Sequence, residues 1–322
     1  MSQPTASTAS AIFVSGGAGF IGSHLAARLL ARESLRRLVV FDNLSSGSER
    51  DLSAVQMDPR LEVVRGDLKD KDAILAAMPG CEVVFHLAAN PDIAKAVTQP
   101  DIDFWEGTYL AQNVVEAMRV TGAKRILYTS GSGVYGENAG VAFAENYGPC
   151  IPISTYGASK LACEALIAAY CHMFGITGRA FRFANVVGPR QTHGVGYDFV
   201  RRLKTDPTRL RILGDGSQSK SYIHVDDVLE AVFTADARCT AKYDVFNVAT
   251  GDYITVNEIA AFAAEVCGVS GVRHEFTGGD RGWKGDVPVV RFDCSKIEAL
   301  GWRCRRTSAQ AVRDAMTAMR EE

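Results

Sequence analysis

Tyr156 and Lys160 stand four residues apart in the run STYGASKLACEALIAAY. On a helix that spacing puts both on one face, so an ammonium lies beside a phenol. A phenol is a poor base at neutral pH, its reference pKa being about 10. A neighbouring cation favours the phenolate, which can take a proton from a sugar hydroxyl while hydride leaves the same carbon. Alone, a YxxxK pattern is common, and its plain reading is a half-exposed tyrosine beside a surface lysine. The chemistry needs a hydride acceptor, and the N-terminal stretch supplies a place for one.

There, Ile12, Phe13 and Val14 form a short apolar run of the kind a buried parallel strand shows. Gly16, Gly19 and Gly22 follow, then a helical pattern carrying Leu25, Ala26, Leu29 and Leu30. The GxxGxxG spacing serves a tight turn, the close approach of a pyrophosphate, and close packing of helix on strand. Free amides at the helix start face the phosphates. About twenty residues further on, the apolar run Leu38–Phe41 ends in Asp42, placed to accept hydrogen bonds from adenosine ribose hydroxyls. Asn43 and Leu44 follow it, with no arginine to neutralise a 2′-phosphate, so the reading is NAD in preference to NADP.

The elements that must position these groups alternate regularly. Strand Leu61–Val64 runs into Gly66, Asp67 and Leu68, an acid placed to meet an adenine amino group. A helix over Asp70–Met78 leads to strand Glu82–Leu87, after which Ala88 and Ala89 let a cofactor pass close to the backbone or simply pack against a helix. A helix over Asp103–Thr121, strand Arg125–Thr129, a helix over Tyr156–Met173 and strand Gly178–Phe183 continue the pattern. This predicts an α/β protein with a doubly wound parallel sheet, a Rossmann fold, over 11–184. From Asn185 the alternation is lost, which predicts a smaller C-terminal substrate-binding part from 185–220 and 249–322. Ser221–Thr234 and Tyr243–Val248 are expected to return to the main sheet, within 221–248. Residues 1–10 are expected to be a flexible tail.

Composition excludes several classes. Lys+Arg 35 against Asp+Glu 37 leaves a formal net charge of −2, no footprint for nucleic acid or an anionic membrane. No apolar run approaches the roughly twenty residues of a membrane span, and the polar start lacks a secretion-signal layout. The eight cysteines are scattered with no CxxC pair, which predicts reduced thiols in a cytoplasmic protein and no metal site. His24 and His86 read as packing residues.

The motifs GGAGFIGSHL, FDNLSSG, GDL, VFHLAA, VYG and YGASK, in this order, resemble the extended short-chain dehydrogenase/reductases. Within these, the chain is most similar to the nucleotide-sugar epimerases of the UDP-glucose 4-epimerase type. The likeness continues through RFANVVGPR (Arg182–Arg190), SYIHVDDV (Ser221–Val228) and RGWKGDVP (Arg281–Pro288). It implies a pyrophosphate loop of Gly16, Gly19, Phe20, Ile21 and Gly22. It also implies an adenosine-ribose site at Asp42, Asn43, Ser46 and Gly47 and an adenine site at Asp67 and Leu68. Leu87, Ala88 and Ala89 would lie beneath the nicotinamide half, and Tyr156 and Lys160 would be the catalytic pair. Asn185 would lie near the sugar diphosphate, and Lys220 stands where a phosphate-binding arginine is usual. Arg281 and Asp286 fall in a segment that closes on the nucleotide. His193 and Tyr197 fall in the sugar pocket, as contacts or as packing; Trp283 either stacks on the base or anchors its loop. The helices Asp103–Thr121 and Tyr156–Met173 would pair in a homodimer.

The chain departs from the family pattern at identifiable positions. The family's catalytic Ser or Thr stands three residues before Val134, and here that residue is Gly131. Ser130 and Ser132 flank it, and either could supply the hydroxyl, with Ser132 favoured. Gly107 stands where an Asn is implied early in its helix. Family dehydratases carry an Asp-Glu pair just before VYG and decarboxylases a Glu, whereas here Ser132 and Gly133 stand there. The implied function is an NAD-dependent epimerase of a nucleotide-linked hexose, UDP-linked, acting through a 4-keto sugar. The alternatives are a UDP-glucuronate decarboxylase or another 4-keto sugar-nucleotide enzyme, and a catalytically weak protein that binds NAD and a sugar nucleotide.

Overall fold

Short apolar runs that are buried on both faces become the central strands. Ala11–Ser15 and Val83–His86 are buried throughout, and Arg37–Asp42 at all but its first residue. A computed structural model describes residues 9–138 and 140–321. Seven parallel strands form one sheet in the order Tyr243–Val248, Thr177–Phe183, Arg125–Gly131, Val83–His86, Ala11–Ser15, Arg37–Asp42, Leu61–Arg65. Val14 sits opposite Val40 on one side and Phe85 on the other. The chain leaves Ala11–Ser15 and Val83–His86 in opposite directions across the sheet. Such a reversal opens a crevice at the carboxyl ends of the strands.

Alternate residues of each strand feed opposite faces. Val14, Val40, Phe85 and Leu127 pack with Leu25 and Leu29 of helix Phe20–Leu30 and Val228 and Val232 of helix Val225–Arg238. Phe13, Val39, Val84 and Ile126 pack with Val114 of helix Tyr109–Thr121 and Ile167 of helix Thr155–Phe174 on the other face. The sheet is therefore doubly wound, an α/β Rossmann fold. A third core, separate from both, joins the helices Val195–Thr205, Val256–Cys267 and Ser308–Glu321. Among the described residues no helix is long and apolar enough to cross a membrane.

The structure departs from the sequence expectations at three places. Tyr243–Val248 is the edge strand of the main sheet, but Tyr222–His224 pairs with Asn185–Val187 instead. The chain has already left the sheet after Phe183, so the partner available there is the short Asn185 segment. The expected helix over Asp103–Thr121 begins with a wide π turn, Phe104–Thr108. That turn presses Gly107 against the neighbouring helix, where a Cβ would stand 2.3 Å from Ser159 Oγ. Of the expected tail, residues 1–8 lie outside the described residues. Ala9 is buried, and Ser10 donates from its amide and hydroxyl to Glu82 (3.1 and 2.7 Å), so these two are held against the body of the protein just before the first strand.

Candidate active site

One cavity of about 840 Å³ runs along the carboxyl ends of the strands. That is near the upper end of the roughly 300–1,000 Å³ usual for a ligand pocket. Every candidate site residue drawn from the sequence lines it except Gly47 and Arg281.

At one end the wall is backbone. Gly16 has φ +70°, and a Cβ on it would meet Ala88 N at 2.8 Å; one on Gly22 would meet Gly16 O at 2.3 Å. Helix Phe20–Leu30 starts at Gly19 with no side-chain cap and no acid in its first turn. Its first amides are thus free to face an anion. Asp42 holds the turn in place, accepting from Ala18 N (2.9 Å) and Leu44 N (2.8 Å). Each carboxylate oxygen keeps a second lone pair for a ribose hydroxyl. Gly47 lies under the turn, where a Cβ would stand 2.6 Å from the Ala18 carbonyl carbon. It shapes the site without lining it. A cradle that any side chain would fill, with an anion-seeking helix start and an acid at the next strand end, fits NAD.

The catalytic pair sits beyond Ala88. Ser154 caps helix Thr155–Phe174, accepting from Gly157 N at 3.1 Å. A Cβ on Gly157 would be 2.3 Å from Gly133 O, so the two glycines let the helix start abut the loop 131–133. Lys160 is buried, donates to Thr129 O at 2.7 Å and lies 5.4 Å from the Tyr156 ring centre. Behind it His86 is fully buried, its Nδ1 2.7 Å from Ser15 Oγ and its ring stacked on Tyr128. Burial, reinforced by the Lys160 charge, pushes the His86 pKa down to about 3, so the ring is neutral in ordinary buffers. His86 packs as expected, and so does His24, whose Nε2 is 3.0 Å from Pro189 O.

Ser130 lines the cavity, but its buried hydroxyl is engaged, its Oγ donating to buried Glu164 at 2.5 Å. Glu164 also holds Arg182 at 2.7 and 3.0 Å, both side chains being 6% exposed. Burial pulls against the Arg182 charge, but Glu164 outweighs it and holds the guanidinium pKa above its ordinary value. Ser132 remains half-exposed in the loop. A Cβ on Gly131 would meet nothing within 4 Å, so a side chain there would enter open space.

The other end of the cavity is made of paired side chains. Lys220 holds Asp286 at 2.5 Å, and Asp286 also accepts from Gly282 N at 3.1 Å. Arg281 lies outside the lining: its Nη2 donates to both Glu137 carboxylate oxygens (2.7 and 2.9 Å), and its Nη1 donates to Asp286 O at 2.9 Å. Asn185 is exposed, with Nδ2 3.4 Å from Ser221 O. His193 and Tyr197 border this end without side-chain hydrogen bonds to protein among the described residues. Sequence reasoning did not single out Glu164, Asp103 or Glu137. Glu164 had a signal, since it continues the helix face of Tyr156 and Lys160 by one more step of four; the other two had none.

Residues 12–249 match the model of the NAD dependent epimerase/dehydratase family. The chain is 33% identical over 306 residues to a UDP-glucose 4-epimerase of Mycolicibacterium smegmatis, covering 93% of this chain and 95% of that one. It is 32% identical over 308 residues to a dTDP-glucose 4,6-dehydratase of Actinoplanes sp., covering 91% and 92%. The crystal structure of the UDP-glucose 4-epimerase of Thermus thermophilus in complex with NAD matches with a TM-score of 0.85 at 30% identity, over 96% and 99% of the two chains. The chain belongs to the NAD dependent epimerase/dehydratase family, as its motifs implied, and its cofactor is NAD.

Proposed function

We propose that this family member inverts C4 of a nucleotide-linked hexose, a UDP-hexose, through a 4-keto sugar. The observation that carries the reading is the Tyr156–Lys160 pair beside a loop, 131–133, that offers a hydroxyl and no carboxylate. Elimination of water calls for an added acid–base pair at the reacting carbons. With none in this loop, epimerisation is favoured over dehydration. Bound NAD supplies the acceptor and later the donor of hydride. Tyr156 takes the proton of the C4 hydroxyl and returns it after the keto sugar has turned over. Lys160 faces Tyr156 with a buried positive charge and is fixed by Thr129 O. Ser132 gives the same sugar oxygen a hydrogen bond.

Residues 185–220 and 249–322 hold the nucleotide sugar, with Lys220 at the diphosphate and His193 and Tyr197 at the sugar. Exposed Val120, Met173 and Phe174 on the helices Tyr109–Thr121 and Thr155–Phe174 suit a homodimer, and the place of action is the cytoplasm.

NMR of a UDP-sugar panel incubated with the protein in heavy water tests the reading. A C4-inverted product without solvent deuterium supports it. A pentose product with deuterium at C5 marks decarboxylation, and a 4-keto-6-deoxy sugar marks dehydration; either overturns it. Gly131 keeps a second reading in view, that of a catalytically weak NAD- and sugar-nucleotide-binding protein. Because the Gly131 position opens onto free space, Gly131→Ser adds a hydroxyl without a clash. A rise of about a hundredfold in kcat marks the natural loop as impaired; a rise under about twofold marks Ser132 as sufficient.

A further inference from the structure

Asp103 is a carboxylate only 2% exposed, and its oxygens are met by an amide and a hydroxyl instead of a cation. A buried carboxylate is retained at a cost unless its lone pairs are filled. Oδ1 accepts from Asn90 Nδ2 at 2.8 Å, and Oδ2 accepts from Thr155 Oγ1 at 2.6 Å. The Asp103 backbone carbonyl accepts from Ser159 Oγ at 2.7 Å.

The partners directly adjoin two separate sets of cavity-lining residues, Leu87–Ala89 and Tyr156 with Lys160. Asn90 directly follows Leu87–Ala89 and is clamped to its own loop, donating to Asp92 O and accepting from Asp92 N, both at 3.0 Å. Thr155 directly precedes Tyr156, and Ser159 directly precedes Lys160. Thr155 is also the first residue of helix Thr155–Phe174, whose amino-terminal end favours a nearby negative charge. Gly107 completes the arrangement, because a Cβ there would stand 2.3 Å from Ser159 Oγ and displace it.

We propose that Asp103 is a positioning residue, a strut that sets the distance between the floor Leu87–Ala89 and the hydroxyl of Tyr156. This rests on Tyr156 being the base. A base acts only within hydrogen-bond reach of its proton, and a displacement of about 1 Å costs on the order of a hundredfold in rate.

The test uses the full chain with NAD bound and the sugar nucleotide that it turns over. Asp103→Ala removes both ends of the strut and is expected to lower kcat about a hundredfold with KM within about threefold. Asp103→Asn is expected to recover most of the rate, because its oxygen still takes the Asn90 amide and its NH₂ can donate to Thr155 Oγ1. Thr155→Val cuts the helix end alone, should Asp103→Ala fail to fold, and is expected to show the same kcat loss. Crystal structures of the parent and Thr155→Val proteins should show the Tyr156 hydroxyl moved by on the order of 1 Å. An unmoved hydroxyl, or an Asp103→Asn protein as slow as Asp103→Ala, overturns the strut. Tyr156→Phe separates the two claims: if it is inactive while Thr155→Val keeps the parental kcat, only the strut falls. If Tyr156→Phe is as active as the parent, the assignment of the base falls.

Discussion

Around Gly16–Gly22 the cavity wall is drawn by main-chain atoms, and a Cβ at Gly16 or Gly22 would collide with backbone. Around Lys220 it is drawn by paired side chains, Lys220 reaching across 66 residues of sequence to Asp286, while Arg281, outside the lining, reaches across 144 to Glu137. The first end is specified by what is missing, namely side-chain volume. The second is specified by what is paired. A site made of backbone shape fails through added bulk, and one made of ion pairs fails through lost charge.

The largest expected effect comes from bulk at the first end. Gly22→Val puts carbon within 2.3 Å of Gly16 O, so the turn must open or the helix must move. NAD content after purification, read by absorbance of the released cofactor, should fall at least about tenfold, with a stability loss of a few kcal/mol. Parental NAD content would break the comparison at its stronger end.

Lys220→Ala is the intermediate case. It removes a positive charge while leaving the backbone intact, so KM should rise about tenfold with kcat nearly unchanged, the pattern of lost uniform binding. An equal fall in kcat would move Lys220 from holding the substrate to assisting the reaction.

Arg281→Gln is the smallest. The pair with Glu137 is 36% and 40% exposed, and such surface pairs are worth about 0–1 kcal/mol. Thermal unfolding and KM should both stay close to the parent. A KM rise matching that of Lys220→Ala would mean that Arg281 leaves Glu137 for the nucleotide during turnover, in line with the closing segment that the family resemblance implied.

Legibility from the sequence followed the same division. The sheet, the glycine turn, Asp42 and the Tyr156–Lys160 spacing are local patterns, with periods of about two and 3.6 residues or fixed offsets, and they appear within short windows. The hydrogen bond of Ser130 to Glu164, which lies 34 residues later, has no local sign, so the sequence leaves both flanking serines open. Asp103 offered no local sign, because its partners Asn90 and Thr155 come from opposite sides of it in sequence and meet only after folding. Arg281 was placed on the nucleotide by likeness to the family, and the rival acceptor Glu137 is distant in sequence. Gly107 marked a departure whose cause, the nearness of Ser159, also required the packed helices.

The Glu164–Arg182 pair carries a consequence for how this sequence can drift. Replacing either partner alone leaves the other's charge buried without its counter-ion, which costs roughly 3–5 kcal/mol, a large share of the stability of a typical domain. Replacing both at once with apolar groups of similar volume is often neutral. The two positions are therefore coupled in their tolerance of change, and Ser130, which donates to the same carboxylate, shares that coupling.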